Sequence, residues 1–311
     1  MYYVVVKIFI YHAMDPVTHG LVGATIYNLG FRQKAAFWVL LISSVAPDID
    51  YITRFWGADM LLRYHRGITH GILALIFVPI IIGAIFGYRK GFLYYTFLAF
   101  LGYATHLFLD LVNQYGTRIL SPLDWYPYSL DLIFIFDPYI TFGLVLSLVL
   151  CTFNKKKAVK IALVTMLLIV AYTGGRYYLH GKTNDFLREN MDYNTYMVCP
   201  LPNDFLRWWF IAKSGNEVKV GLSDLFTQSI CEQGTYMISE QDPFIQMSKE
   251  TRVVKNFLYF ARYPYAKVQR DPEKITVLWR ELAYSFLPGE HFIAVVIFGN
   301  DGKVIHSYFK Y

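Results

Sequence analysis

His106 and Asp110 interrupt an apolar segment near the middle of the sequence, YATHLFLDLVNQYGT (residues 103–117). Because they are four residues apart, they share one face of a helix, and Asn113 extends the same stripe one turn later. An imidazole and a carboxylate one turn apart can bind one metal ion or bridge two, and Gly102 on this face would let another backbone approach closely. The alternative is a buried histidine that only hydrogen-bonds to the neighbouring carboxylate.

Two further segments carry acids and histidines. Asp48 and Asp50 follow a proline that ends an apolar helix, and both carboxylates could point toward one centre as oxygen ligands. His65 and His70 are five residues apart, so His65 would approach from a loop and His70 from the start of the next helix. Arg66 between them suits a bidentate contact with a phosphate or a carboxylate. Each segment alone also fits a solvated turn or an ordinary helix start.

His19 lies in the first turns of the first predicted helix, where a single histidine is more often structural. Ionisable groups at membrane depth are costly to desolvate, so a group of them indicates a functional site. The sequence therefore predicts a metal centre assembled from four segments. Threonines that precede three of the histidines could orient them by hydrogen bonds: Thr18, Thr69 and Thr105.

The composition places these residues in a membrane protein. The chain has 311 residues, of which 55% are hydrophobic and 17% are charged, and this is too apolar for a soluble domain of its size. Apolar residues concentrate before residue 175, so we expect a membrane-embedded helical domain over residues 14–175 and a soluble domain over residues 176–311. Residues 1–13 would be a peripheral segment or an over-long gene start upstream of Met14.

Six apolar helices are predicted in the membrane domain. Asp15 and Pro16 suit an N-cap and first turn for helix one, which would end near Gly30. Helix two would occupy residues 35–46, and both of these helices are shorter than the roughly 20 residues that a full span needs. The four later helices are expected over residues 70–88, 91–112, 132–153 and 157–174.

The distribution of lysine and arginine predicts a topology, because basic residues concentrate in cytoplasmic loops. Every second loop between the predicted helices is basic, so the opposite helix ends, with their acids and histidines, would face the outside together with residues 176–311. No nucleic-acid motif accompanies the net charge of +6, so membrane lipid is the expected partner and nucleic acid is not. The basic loops contain Arg32, Lys34, Arg89, Lys90, Lys155, Lys156, Lys157 and Lys160, whereas Arg54, Arg63, Arg66 and Arg118 break the bias.

Residues 176–311 are predicted to form a small α+β domain. The segment KETRVVKNFLYFARYP (residues 249–264) fits one amphipathic helix ended by Pro264. Cys199 and Cys231 could form a disulfide if the domain is extracytoplasmic. Strands are predicted over residues 216–222 and 274–282, and a hairpin around an Asn-Asp-Gly turn is predicted over residues 292–309.

Taken together, the polar motifs resemble those of a known family. THG, PDID, HRGITH, HxxxDxxNxYGT and FDP occur in this order between residues 18 and 138. Over about residues 14–175 the series resembles the membrane-bound metal-dependent hydrolases, the YdjM-like inner-membrane proteins, and residues 176–311 resemble the soluble tail of longer members. More remotely, the series is similar to zinc-dependent phospholipase C and P1-type nuclease enzymes, which are helical, hold zinc with His and Asp, and cleave phosphoesters.

The resemblance implies a multi-pass membrane-bound hydrolase of the inner or plasma membrane that cleaves a phosphoester of a lipid or lipid-like substrate at the outer face. One to three divalent ions, for which Zn²⁺ best fits the His and Asp mixture, would activate water. Asp50 or His65 would be a further ligand or the general base. Arg66 would bind the phosphate, and Asn113 would orient Asp110 or the substrate. The predicted metal ligands are His19, Asp48, His70, His106 and Asp110.

Two other classes of function remain open. A non-catalytic membrane protein could use the same residues for a structural or transport-related metal site, although a transporter should carry ionisable groups near the bilayer midplane, and here they cluster toward one face. A receptor that acts through residues 176–311 would need no group of His and Asp in its membrane anchor. A serine hydrolase is not indicated, because the sequence has no GxSxG motif.

Overall fold

The computed structural model describes residues 16–239 and 241–311. The expectations for residues 1–13 and for a cap at Asp15 therefore lie outside the described residues. Contacts within the chain divide it into two compact units. The first unit contains Arg66–Tyr178 and the described residues up to Tyr51, and the second contains Ile52–His65 and Leu179–Tyr311.

Apolar helices build the first unit, as the sequence predicts. Among the described residues, three helical segments are long and apolar enough to cross a membrane, and a pair bent by 68° raises this number to four if the pair is one span. The segments are Lys34–Trp56, Phe92–Val112 and Lys155–Asn190, and the bent pair is Ala58–His70 with Ile72–Gly87. The α-helices up to residue 190 are α1 (Pro16–Tyr27), α2 (Lys34–Val45), α3 (Ala58–Tyr64), α4 (Ile72–Gly87), α5 (Phe92–Val112), α6 (Pro138–Phe153) and α7 (Ala158–Asn190), and 3-10 helices cover Ala46–Trp56, Ile68–His70 and Lys155–Lys157.

Two helix boundaries differ from the predicted ones. Helix α6 begins at Pro138 because the Asp137 side chain caps it by accepting from the backbone N–H groups of Tyr139 and Ile140. The apolar residues before it, which the sequence assigned to the helix, are not helical, and Ile133 pairs with Asn113. Helix α7 continues to residue 190, well past the expected end at 174, because the change from apolar to polar residues does not stop a helix.

Two glycines let α2 lie close to its neighbours. A Cβ atom at Gly23 of α1 would lie 2.7 Å from the carbonyl oxygen of Leu40, and one at Gly102 of α5 would lie 3.0 Å from the same oxygen. The side chains of Ser43 and Ser44 fill the same crossings and are fully buried. The prediction that Gly102 permits close approach of another backbone is therefore confirmed.

The second unit contains two antiparallel sheets in which consecutive strands are neighbours. The predicted strands over residues 216–222 and 274–282 and the predicted hairpin are all present. The first sheet has β1 (Thr195–Pro200), β2 (Arg207–Ser214), β3 (Glu217–Asp224) and β4 (Ser229–Met237), then α8 (Pro243–Lys249) and α9 (Arg252–Phe260) follow, and the second sheet has β5 (Pro264–Arg270), β6 (Lys274–Glu281), β7 (Ile293–Gly299) and β8 (Val304–Lys310).

The amphipathic helix of the second unit is shorter than predicted. Thr251 caps α9 through its side chain, which accepts from the backbone N–H of Val254. The helix ends at Phe260, and Pro264 is the first residue of β5 rather than the residue that stops the helix. Proline is accepted at the first position of a strand, so its presence in the sequence did not distinguish the two cases.

The two cysteines of the second unit do not pair. Cys199 lies on β1 and Cys231 on β4, and both are free thiols. The register aligns Cys199 with Trp209, Trp209 with Leu222, and Leu222 with Cys231. Three strand spacings separate the cysteines by about 14 Å, which is beyond the reach of a disulfide.

Helix α3 packs within the second unit although it lies between segments of the first. Asp59 of α3 is 5% exposed and accepts hydrogen bonds from Arg252 Nε at 3.0 Å and Asn256 Nδ2 at 2.8 Å. The Tyr311 hydroxyl donates to the carbonyl oxygen of Ala58. Residues 52–65 therefore belong to the second unit, where they pack against α9 and Tyr311. The residues on either side of them belong to the first unit.

Candidate metal centre

Five buried side chains from four segments of the first unit converge. Helix α5 presents His106 and Asp110 on one face, and α1 brings His19 beside them. The 3-10 helix after α2 supplies Asp48, and the one before α4 supplies His70. Each of the five residues is at most 8% exposed. The structure thus brings together all the residues that the sequence predicts as metal ligands.

The potential ligand atoms are close neighbours. His70 Nε2 lies 3.1 Å from His106 Nε2 and 3.1 Å from Asp110 Oδ2. Asp110 Oδ2 lies 3.3 Å from His106 Nε2, and Asp110 Oδ1 lies 3.3 Å from His19 Nε2. Asp48 Oδ1 lies 3.7 Å from the Nε2 atoms of both His70 and His106. These five residues form two overlapping groups that could each hold a metal ion: His19, His106 and Asp110, and Asp48, His70 and His106.

The separations and the chemistry of these donors fit a divalent cation. Bonds of about 2.0–2.1 Å from a metal to imidazole nitrogen and carboxylate oxygen place neighbouring ligand atoms roughly 3.3 Å apart in a tetrahedral site. The observed separations of 3.1–3.7 Å bracket this value. Imidazole and carboxylate together are ligands typical of zinc and of related transition metals.

Hydrogen bonds on the far side of two imidazole rings direct their Nε2 atoms into the cluster. His106 Nδ1 lies 2.7 Å from the carbonyl oxygen of Ser44, so the proton is assigned to Nδ1 and Nε2 keeps a lone pair. His70 Nδ1 lies 3.0 Å from Thr69 Oγ1 and 3.4 Å from Asp50 Oδ2, which assigns the same tautomer. Lone pairs and carboxylates that face one another repel, and a shared metal cation relieves the repulsion.

Asp50 lies behind His70, at the ring nitrogen that points away from the cluster. Its Oδ2 accepts hydrogen bonds from the backbone N–H of Arg66 at 3.0 Å and from the hydroxyl of Thr69 at 2.7 Å. A carboxylate in this position fixes the orientation of a ligating histidine and raises its basicity. This geometry gives Asp50 an orienting position, and its roles as ligand or general base stay predictions.

Arg66 is engaged by the protein itself. Its Nη2 lies 2.6 Å from Asp110 Oδ1, and its Nη1 donates to Asn113 Oδ1 at 2.8 Å and to the carbonyl oxygen of Tyr115 at 2.7 Å. The residue is 2% exposed and adopts a left-handed φ of 58°, which is uncommon for a side-chain-bearing residue. Both Nη atoms hold Asp110 and the loop after α5, and the contact of Arg66 with a substrate phosphate stays a prediction.

The other predicted site residues lie around this core. Asn113 follows α5 directly, and its side-chain oxygen accepts from Arg66 and from the backbone N–H of Tyr115. Its role in orienting Asp110 or the substrate stays a prediction. His65 is fully buried and directly follows α3, in the second unit. Of the threonines, Thr69 contacts its histidine as predicted, Thr18 bonds to Thr141, and Thr105 bonds to the carbonyl oxygen of Gly102.

The loop after α5 supplies several of the oxygens that hold Arg66, and its own polar contacts fix its shape. Thr117 and Tyr128 exchange backbone hydrogen bonds across it. The Tyr128 hydroxyl donates to Asp124 at 2.6 Å, and this hydrogen bond lowers the pKa of the Asp124 carboxyl. Asp124 is therefore ionised near neutral pH. The carbonyl groups used here, like that of Ser44, carry no signal in the sequence, because every residue has one.

An apolar cavity adjoins the cluster. It has a volume of about 1200 Å³ and lies among α1, α2 and α4. Asp48 and Thr69 contribute to its lining together with apolar side chains such as Leu21, Leu41 and Phe77. One potential metal ligand therefore borders a space whose remaining surface is almost entirely hydrophobic.

Comparison with known proteins gives the chain a family. Residues 243–311 match the model described as YfhP C-terminal alpha/beta plait domain. The chain is similar to the Bacillus subtilis (strain 168) protein described as uncharacterized protein YfhP, with 25% identity over 309 residues that cover 95% of this chain and 94% of the relative. No solved structure matches it. Residues 14–183, more than half of the chain, match the model described as YdjM inner membrane protein, so this membrane protein belongs to that family.

Proposed function

We propose that this protein is a membrane-bound metal-dependent hydrolase whose substrate is a phosphoester of a lipid or lipid-like molecule. The observation that carries the proposal is the position of Asp48, which belongs to a cluster of five buried metal-ligand side chains and also lines the apolar cavity of about 1200 Å³. A site for a cation and a site for a hydrocarbon chain then meet at one carboxylate. Such adjacency suits a substrate with a polar, reactive head and an apolar body.

The protein's own residues would hold the cation and prepare the substrate. A bound Zn²⁺ would supply a water with a pKa of about 7 and would polarise a phosphoryl oxygen. His19, His70 and His106 would bind it with Asp48 and Asp110. Asp50 and the Ser44 carbonyl keep two of the imidazoles in the ligating tautomer, and Arg66 balances the charge of Asp110. The apolar cavity would exclude bulk water from the bound ester and strengthen these electrostatic interactions.

The proposed location of the reaction is the extracytoplasmic face of the membrane. The support is the alternation of basic and non-basic loops, which puts the ends of α5 and α2 on the side opposite the lysines. A phosphoester group is favoured by the resemblance of the motif series to zinc enzymes that cleave phosphoesters.

Metal analysis and lipid hydrolysis test the proposal separately. The detergent-purified protein should contain a stoichiometric divalent metal, and His106→Ala and Asp48→Ala should lose it, whereas His306→Ala, on an exposed residue of β8, should keep it. The same two variants should lose release of phosphate or head group from a panel of phospholipids. Unchanged metal content in both variants would refute the metal centre. Metal that is bound without hydrolysis of any lipid would favour the structural or transport-related alternative.

A further inference from the structure

The last two membrane helices leave a second cavity between them. Helices α6 and α7 follow one another in sequence, and the 3-10 helix Lys155–Lys157 lies between them. A cavity of about 760 Å³ separates them along part of their length. In the most apolar part of the segment Lys155–Asn190, only 11% of the residues are buried within the protein. Most of α7 is thus left uncovered by the part of the chain that the structure describes.

The walls of this second cavity are apolar and its two ends differ. Lys157 and Lys160, both exposed, line one end, and Tyr139 and Tyr172 line the other. From Lys160 to Tyr172 the helix rises about 18 Å, which is close to the thickness of one leaflet of a bilayer hydrocarbon core. The apolar wall between these ends includes Leu146, Leu150, Ile161, Val164 and Leu168.

We propose that the groove between α6 and α7 binds an anionic phospholipid, with its acyl chains along the apolar wall and its phosphate at Lys157 and Lys160. The dimensions match a lipid of a single leaflet, and the charge at the end matches a phosphate. At the end of the groove opposite the lysines, the rings of Tyr139 and Tyr172 offer a flat apolar surface to the acyl chains. The Tyr172 hydroxyl already donates a hydrogen bond to Asp137. This site is separate from the metal centre and does not depend on the proposed hydrolysis.

A lipid explains the groove better than a second copy of this chain. The residues that line it include two lysines and no carboxylate. In a symmetric dimer formed through this face, the lysines of one copy would approach the lysines of the other, and like charges repel. A phosphate neutralises both lysines.

Lipid binding to the purified full-length protein tests this site. Native mass spectrometry would compare phosphatidylglycerol with phosphatidylcholine of the same acyl chains, and we expect preferential retention of phosphatidylglycerol. The double variant Lys157→Gln/Lys160→Gln should bind it roughly tenfold to thirtyfold more weakly. Lys155→Gln/Lys156→Gln is the matched control, because it removes the same charge at neighbouring residues that do not line the groove, and it should bind as the wild type does.

A third variant tests the acyl-chain part. Gly143 lines the groove, and a Cβ atom there would meet no other atom within 4 Å, so Gly143→Leu should fold and fill the space. It should weaken the binding of phosphatidylglycerol without a change in charge. Equal retention of the two lipids, an equal loss in both lysine double variants, or a dimer in place of bound lipid would each overturn the proposal.

Discussion

Asp50 and Asp110 are carboxylates of one centre with different surroundings. Asp110 faces three imidazole nitrogens, whereas Asp50 touches the outer nitrogen of His70 and is held by Thr69 and a backbone N–H. A direct ligand and an orienting group differ in what their loss costs. Removal of a ligand eliminates a metal bond, but loss of an orienting carboxylate weakens metal affinity by about 10- to 100-fold.

We therefore expect Asp50→Asn to bind metal about 10- to 100-fold more weakly, and Asp110→Ala to lose high-affinity binding altogether. Competition with a chromophoric chelator measures both affinities. Glu232→Gln, which neutralises an exposed carboxylate of β4, serves as the control and should bind like the wild type. If Asp50→Asn lost metal as completely as Asp110→Ala, Asp50 would be a ligand and its orienting role would be refuted.

At this scale the sequence predicted which side chains meet, but not what each one does. Histidine and carboxylate types, spaced by one turn or set at helix ends, were enough to select His106, Asp110 and Asp48. The partner of Arg66 was not predictable, because a guanidinium binds a phosphate and an internal carboxylate with the same geometry. Which of the two it meets depends on the fold of the loop that follows α5.

Among the elements, α2 links the core of the first unit to the metal centre. It packs against glycines of α1 and α5, and its end supplies the Ser44 carbonyl that orients His106 as well as the chain that leads to Asp48. The distance between α2 and α5 is therefore a determinant of the ligand geometry. Gly102 sets this distance, because its missing side chain admits Ser43.

Gly102→Ala should consequently lower both stability and metal affinity, although Gly102 is not a ligand. An added methyl group would lie 3.0 Å from the Leu40 carbonyl oxygen and would push α2 outward, at a cost of about 1–3 kcal/mol. Thermal unfolding in detergent and chelator competition report the two effects. Gly143→Ala, in a membrane helix where the methyl group has free space, is the matched control and should unfold at or above the wild-type temperature.

The contact between α3 and α9 is the second element whose role can be measured. Asp59→Ala would leave the buried Asn256 amide and Arg252 without their acceptor, which should cost about 1–3 kcal/mol. Amide hydrogen exchange of residues 58–64 should accelerate accordingly. Glu250→Ala removes an exposed carboxylate that pairs with exposed Lys255, so it should leave exchange within about 0.5 kcal/mol of the wild type. Equal acceleration in the two variants would contradict a specific role for Asp59.

For the whole molecule, the proposed topology puts the second unit outside the cytoplasm, and this side can be measured. Cys231 is exposed on the edge strand β4, whereas Cys151 and Cys199 are buried, so Cys231 is a single natural labelling site. In the proposed topology a membrane-impermeant maleimide should label intact cells that produce the protein. Cys231→Ser should abolish the label, and permeabilised cells give the maximum. Labelling that requires permeabilisation would reverse the topology and move the metal centre to the cytoplasmic face.

The elements whose formation depends on local sequence patterns were predictable. Apolar run lengths found the six helices, and alternation with turn residues found the hairpin and two of the strands. The helix starts at Pro138 and Arg252 were missed, because capping by Asp137 and Thr251 outweighs the apolar pattern around them. The packing of α3 with α9 joins residues almost two hundred positions apart, and no periodicity reports such a contact.

That long-range packing has a practical consequence for anyone who wishes to dissect the protein. Leu61 and Leu62 of α3 are 3% and 1% exposed, and the surface that covers this helix comes from the C-terminal half of the chain. A protein truncated after residue 178 would keep α3 between Tyr51 and Arg66 but would lack the residues that cover it. The apolar side chains of α3 would then be exposed and prone to aggregation. Isolation of the helical unit by cloning therefore requires two cuts rather than one, with a short polar linker in place of residues 52–65.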